Sequence, residues 1–357
     1  MKLVIFGLSV SSSWGNGHAT LWRGLCRALA RRGHRVVFFE RDTPYYAPHR
    51  DLTELEDGEL ILYSDFEEIQ PLARRHLSEA DCGMVTSFCP DGVAASELVL
   101  DSPAPARVFY DLDTPVTLQS LRTGQPVSYI GPRGLRDFDL VLSYTGGRAL
   151  TELSESLGAR RVLPLYGSVD PDVHFRAAPA EQYRSDLSYL GTYAEDRQSA
   201  LEKLFLEPAR RLPERRFLIG GAMYPHTFPW SGNIYFVRHL SPCEHAAFYC
   251  SSNLTLNVTR GAMAAMGYCP SGRLFEAAAC GTAILSDEWE GLDRFFEPGS
   301  EILVARTADD VVEALGMERG RLAEIGAAGR ARALDEHTAD RRGFELEAAL
   351  DSVLAHA

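Results

Sequence analysis

The chain opens on an apolar run, KLVIFGLSV, followed by a loop of small residues, SSSWGNGH. Next comes ATLWRGLCRALARRG, in which Leu21, Leu25, Ala28 and Leu29 recur at helical spacing. Gly33 stands where such a helix would end, and HRVVFFE returns to near-continuous apolar character. Strands apolar on both faces, joined by an amphipathic helix, are the pattern of a parallel sheet covered on each side. Further apolar runs are LILYS (60–64), CGMVTSF (82–88), ARVFYDL (106–112), FDLVLSY (138–144) and RRVLPLY (160–166), with helical stretches or loops between them. Around 164–180 the chain becomes rich in Pro, Asp and Gly, as an interdomain linker does. The rhythm then restarts with LSYLGTY, a helix over 196–211, RRFLIGG, IYFVRHL, a helix over 243–251 and LTLNVT. It continues with a helix over 271–280, TAILSD, EILVAR and a helix over 308–316, and ends on one long helical pattern, 318–355. The pattern predicts an α/β protein of two doubly wound domains with a cleft between them, over 1–170 and 171–336.

Composition narrows the function classes. A length of 357 residues suits two domains, and 45% hydrophobic with 24% charged residues describes a soluble globular chain. Lys plus Arg number 36 against 49 Asp plus Glu, a net charge of −13. That sign argues against a nucleic-acid or anionic-membrane partner while leaving room for a local basic pocket. Seven cysteines without a CxxC pair show no zinc or disulfide framework, which suits a reducing cytoplasm. The first apolar run is too short for a signal peptide and leads into Ser, Gly and His, so it reads as a buried strand. No apolar stretch approaches the ~20 residues that span a bilayer. A cytoplasmic protein without an integral membrane segment is expected.

The candidate chemistry sits at strand ends. Gly15-Asn16-Gly17-His18 follows the first strand and opens the first helix, where glycines admit a ligand to the backbone and free N–H groups favour an anion. Gly7, Gly15 and Gly17 do not make GxGxxG, which removes the main support for a dehydrogenase. His18 reads as a ligand or catalytic group, or else as a helix cap. Asp111 and Asp113 end another strand and could orient His18, act on an acceptor hydroxyl, bind a cation, or shape the turn before Pro115. Asp137 and Asp139 repeat the DxD spacing, so the match alone is cheap. No His, Cys and carboxylate set has metal-ligand spacing along the sequence, and no metal is expected.

In the second half, Asn257-Val258-Thr259-Arg260 ends a strand and Pro270-Ser271-Gly272-Arg273-Leu274-Phe275-Glu276 opens a helix. Ser271 and Gly272 offer backbone donors to a diphosphate, and Arg260 and Arg273 offer charge. Glu276 lies on an otherwise apolar helix and needs hydrogen-bond partners, which two ribose hydroxyls or a structural bond could supply. Gly191-Thr192-Tyr193 with Arg197 repeats the phosphate-cradle logic at the first strand-to-helix turn of that half.

These stretches resemble glycosyltransferases of the GT-B fold, group 1 type, and within them the CgeB-like, spore-maturation-protein-like branch. The resemblance rests on GNGHATLWRGLCRALARRGHRVVFFE, on VLPLYGSVDPDVHF and on RLFEAAACGTAILSD with GLDRFFEPGSEILV. YDLDTPVTL and NVTRGAMAAMGYCPSGRLFEAAACG are similar to the CgeB-like branch. It implies two Rossmann-like domains, with a terminal helix over 337–357 crossing back to the first. It implies a nucleoside-diphosphate sugar, UDP- or dTDP-type, held by the second domain as co-substrate, with no separate cofactor. Glu276 matches the ribose-binding glutamate, and Tyr268 stands where the pattern has a glutamate on the donor sugar. Arg260, Arg273 and Arg197, in that order, would stabilise the leaving diphosphate without a metal. His18 with Asp111 or Asp113 resembles the His–Asp dyad of inverting members, and the helix dipole would keep that imidazole neutral. Stereochemistry, acceptor and oligomeric state stay open. The rival readings are a nucleotide-sugar 2-epimerase and a catalytically silent sugar-nucleotide-binding protein.

Overall fold

The computed structural model describes residues 1–355 and divides the chain into two units. The first comprises Met1–Tyr166 and the chain from Ala339 on; the second is Gly167–Thr338. The last two residues of the terminal stretch expected over 337–357 lie outside the described residues.

Seven parallel strands form the first unit's sheet: β1 Lys2–Gly7, β2 Arg35–Arg41, β3 Glu59–Tyr63, β4 Cys82–Thr86, β5 Ala106–Asp111, β6 Leu140–Ser143 and β7 Val162–Pro164. Their order is β3-β2-β1-β4-β5-β6-β7, so the winding reverses between β1 and β4. Leu3 pairs with Val36 on one side and with Cys82 on the other. One face of the sheet buries Leu3, Ile5, Phe38 and Met84 against Trp22 and Leu25 of helix Gly17–Arg31. Leu346 and Leu350 of the terminal helix Ala339–Leu354 enter the same core. Arg31 pairs with Asp340 at 2.9 Å, and Arg32 with Glu347, along the seam between these two helices.

The second unit holds β8 Ser185–Leu190, β9 Phe217–Gly221, β10 Ile234–Arg238, β11 Ser252–Asn257, β12 Ile284–Asp287 and β13 Leu303–Ala305. All are parallel, in the order β10-β9-β8-β11-β12-β13, with the reversal between β8 and β11. Both units are therefore doubly wound α/β sheets.

Two features depart from the sequence pattern. The long helix expected over 318–355 is two helices, Arg319–Glu336 and Ala339–Leu354. The break follows His337, whose imidazole is buried among Phe275, Phe295 and Phe296 with ring centroids 4.7, 5.8 and 5.7 Å away. Val169 then pairs with Thr338, which takes the backbone out of helix. A short helix, Gly261–Met266, also stands after β11, in a stretch to which the sequence pattern assigned no element.

Helix Arg319–Glu336 approaches its neighbours through glycines. A Cβ at Gly326 would lie 2.4 Å from the Gly281 carbonyl oxygen, and one at Gly329 2.6 Å from that of Glu301. Both obstacles are backbone, so nothing flexible can yield. Gly326→Ala is expected to destabilise the protein by about 1–3 kcal/mol despite alanine's better helix propensity. Urea unfolding checks this; a stability equal to or above wild type would contradict the packing.

Candidate functional site

In doubly wound sheets the crevice for ligands lies at the carboxyl ends of the strands where the winding reverses. In the first unit that point is walled by the loops after β1, β4 and β5. The loop after β1 is held by Glu40 at the end of β2, a fully buried carboxylate. It accepts from Ser9 Oγ at 2.9 Å, Val10 N at 2.7 Å, Ser11 N at 2.9 Å and Ser11 Oγ at 2.6 Å. Asn16 then caps helix Gly17–Arg31, its Oδ1 accepting from His18 N at 3.0 Å while its Nδ2 donates to Ser9 O and Ser12 O. Gly15 takes a φ of 59°, which explains its identity, but a side chain at Gly17 would meet nothing within 4 Å. The space before this helix is open, as a ligand would need.

His18 and Asp113 meet there. Nε2 of His18 lies 2.9 Å from Oδ2 of Asp113, which also accepts from Ser87 Oγ at 3.1 Å. Asp111, fully buried at the end of β5, accepts from Asp113 N at 3.0 Å through Oδ1, while Oδ2 lacks a well-formed hydrogen bond. Burial, helped by the Asp113 charge, pushes the Asp111 carboxyl up to about 7. Burial acts to lower the His18 value, but Asp113 outweighs it and the net shift is upward. The helix dipole therefore does not decide the state of His18, as the sequence suggested; its ion-pair partner does. With Nε2 turned to Asp113, Nδ1 is buried without a hydrogen-bond partner.

The second unit gathers its groups after β8 and β11. Arg273 donates through Nε to Leu190 O and through a terminal nitrogen to Asn257 Oδ1 at 2.8 Å, with its guanidinium 5.1 Å from the centre of the Tyr189 ring. A Cβ at Gly191 would lie 2.8 Å from a terminal nitrogen of Arg273 and from the Tyr189 hydroxyl, so a side chain there would displace the guanidinium. Arg197 reaches Thr192 O at 3.1 Å, and its Nε is buried without a partner. Burial pulls the Arg197 value down, and the Arg273 and Arg260 charges act the same way. Neither Arg197 nor Arg273 forms an ion pair with a carboxylate among the described residues. Arg260, expected to lead this set, is instead half-exposed and paired with Asp196 at 3.1 Å. Ser271 precedes helix Gly272–Ala279 without capping it through its side chain. Tyr193 packs edge-on to Tyr224 and Phe228. Tyr268 adopts a left-handed φ of 48°, and its ring fills the space over Gly291.

Glu276 is 14% exposed and stands by two histidines that the sequence reading overlooked. Its Oε2 is 3.9 Å from His174 Nε2 and 3.7 Å from His245 Nδ1. The Tyr249 hydroxyl, pushed well up by burial and by the Glu276 charge, adjoins the same carboxylate. Sequence spacing showed no metal-ligand set because these residues lie far apart in the chain; the fold brings three ligand atoms within 4.8 Å of one another. Asp287 at the end of β12 accepts from Thr259 N and Oγ1 and so fixes the loop carrying Arg260.

Comparison with known proteins bears on the fold. A family model described as glycosyl transferase-like matches residues 197–348, somewhat less than half of the chain. No curated protein matches the sequence. Sucrose-phosphate synthase from Thermosynechococcus elongatus superposes with a TM-score of 0.74 at 14% identity, over 100% of each chain. HepE from Anabaena, solved with UDP and glucose, gives 0.67 at 13% identity, over 99% of this chain and 100% of that one. An alpha-glucosyltransferase solved with UDP gives 0.70 at 12% identity, covering 98% and 100%. An alpha-glucosyltransferase has also been solved with UDP and a 13-mer DNA containing a central A:G mismatch. The fold is that of GT-B glycosyltransferases. No helix among the described residues is long and apolar enough to cross a membrane.

The two shifted groups of the first unit carry a pH signature. The folded protein keeps a proton on Asp111 from its ordinary value of 3.8 up to about 7, and holds the His18 proton above 6.5. Folded chains thus bind more protons than unfolded ones across that window, so their contribution to stability is present at low pH and lost as pH rises. Urea unfolding at a series of pH values should show the wild-type stability falling, relative to Asp111→Asn, between about pH 4 and 7. A difference that is flat or rises with pH would contradict the assignment.

Proposed function

We propose that this protein is a glycosyltransferase moving a sugar from a nucleoside diphosphate, UDP- or dTDP-type, to an acceptor hydroxyl. The observation that carries the reading is a pair of guanidinium groups, Arg197 and Arg273, at the second unit's winding reversal, neither in an ion pair with a carboxylate among the described residues. Two such cations, in a chain of net charge −13, suit a multiply charged anion. The N–H groups of helix Gly272–Ala279 add to it, and Glu276, one turn on, offers a carboxylate to two ribose hydroxyls. A nucleoside diphosphate presents those groups in that order, and HepE and the alpha-glucosyltransferase hold UDP in the same fold. The CgeB-like motifs support that branch as the finer assignment.

In the reaction the acceptor oxygen bonds to the anomeric carbon while the bond from that carbon to the diphosphate breaks. Arg197, Arg273 and the helix N-terminus stabilise the leaving charge electrostatically, without a metal ion. The acceptor proton passes to Nδ1 of His18, and Asp113 holds Nε2–H and stabilises the imidazolium that forms. Asp111, protonated up to about 7, leaves the dyad a single negative charge near neutrality. In a retaining reaction His18 would instead hydrogen-bond the donor sugar, a role that Tyr268 could share. Seven free cysteines suit a reducing compartment, and we place the reaction in the cytoplasm.

Glu276→Ala should weaken UDP binding about tenfold or more by calorimetry, since a hydrogen bond to a charged group contributes about 1.5–3 kcal/mol. Unchanged UDP and dTDP affinities would remove the ribose contact from the account. His18→Ala should lower turnover about 10²-fold or more while UDP affinity stays level, the scale of a general acid–base group. Near wild-type turnover in a folded variant would make His18 a structural cap, and NMR of the product's anomeric centre separates the inverting from the retaining role.

A further inference from the structure

Three side chains from separate elements converge beside the apolar helix Gly272–Ala279. His174 lies in a turn closed by its own N–H donating to Asp170 O at 2.9 Å, and it is buried. His245 belongs to helix Pro242–Cys250, and Glu276 to helix Gly272–Ala279. His174 Nε2 and His245 Nδ1 are 3.2 Å apart, and Glu276 Oε2 is 3.9 and 3.7 Å from them. A triangle with these sides has a centre about 2.1 Å from each atom, which is the Zn–N and Zn–O bond length. A four-coordinate ion lies slightly out of the plane of three of its ligands, so the Glu276 oxygen would move in by only about a few tenths of an ångström to bind there.

The surroundings also suit a metal. His245 Nε2 lies 3.3 Å from Leu240 O, which accepts its proton and leaves the Nδ1 lone pair aimed at the cluster. A carbonyl on the far nitrogen of a ligating imidazole is the usual outer partner of such sites. In the metal-free protein His174 Nε2–H donates to that lone pair. On metal binding this proton moves to the other nitrogen of His174, so both imidazoles stay neutral and no proton is released. The Tyr249 hydroxyl adjoins the carboxylate. Two imidazoles and one carboxylate favour zinc and similar transition ions over magnesium or calcium, which take oxygen ligands.

We infer that His174, His245 and Glu276 form a binding site for a divalent transition-metal ion of the zinc type, with the fourth position left to water. The inference shares Glu276 with the donor reading, and its test is separable from that reading because it contains no nucleotide and reads no turnover. EDTA-stripped, dialysed full-length protein is titrated with Co²⁺, and the ion is then displaced by Zn²⁺. One equivalent of Co²⁺ should give the intense visible bands of four-coordinate cobalt without thiolate charge transfer, and one equivalent of Zn²⁺ should abolish them. His245→Gln should weaken binding at least about a hundredfold, and Glu276→Gln, which keeps the side chain's shape, at least about tenfold. Circular dichroism and thermal unfolding of the metal-free proteins establish that each variant folds, and Glu276→Gln decides alone if His245→Gln does not. The site is overturned by a cobalt spectrum no different from the aqueous ion, by thiolate charge-transfer bands, or by variants that bind as tightly as wild type.

Discussion

A buried carboxylate at the end of one strand, clamping the loop that follows the next, is the constraint on which the rest of this structure depends. Glu40 does this in the first unit: four donors from Ser9, Val10 and Ser11 converge on a side chain without solvent exposure. A buried charge is tolerable only when so fully hydrogen-bonded, and the same bonds leave the loop little freedom. The first helix therefore starts at a fixed place, Asn16 caps it, and His18 arrives 2.9 Å from Asp113. Asp287 repeats the device in the second unit by holding Thr259 through its backbone and hydroxyl. Parallel strands deliver all these polar groups to one edge of each sheet, and the clamps turn that gathering into defined sites.

Electrostatics then distinguishes the two edges. The first unit collects acids around one imidazole, and burial, helped by the Asp113 charge, favours a proton on Asp111. The second collects guanidinium groups whose partners are carbonyl and amide oxygens, which hold them in place without neutralising them. Under the proposed function the first edge would take a proton and the second would take an anion.

The sequence made the strands legible because parallel strands buried on both faces are continuous apolar runs, and the motif residues legible because they follow those runs directly. It could not show what depends on distant partners. Arg260 looked like the foremost phosphate ligand, but Asp196, which is 64 residues away in the chain, holds it. The helix alone would hold the His18 value down, and only the approach of Asp113 turns the net shift upward. The helix break at His337 carries no Pro or Gly; it follows from an imidazole sinking among three phenylalanines. His174 and His245 have no motif at all, being 71 residues apart until the fold stacks them beside Glu276.

The central claim is that the second unit's cationic edge receives a nucleoside diphosphate. Thermal unfolding of the whole chain in the presence of UDP, dTDP, their sugar conjugates, the monophosphates and the free nucleosides tests it most directly. At a ligand concentration about 100 times the dissociation constant, binding to the folded state alone contributes about 2.7 kcal/mol, a shift of several degrees that is easily read. At least one diphosphate series is expected to raise the transition temperature, more than its monophosphate and far more than its nucleoside. A transition temperature that no nucleoside diphosphate moves at millimolar concentration would contradict it.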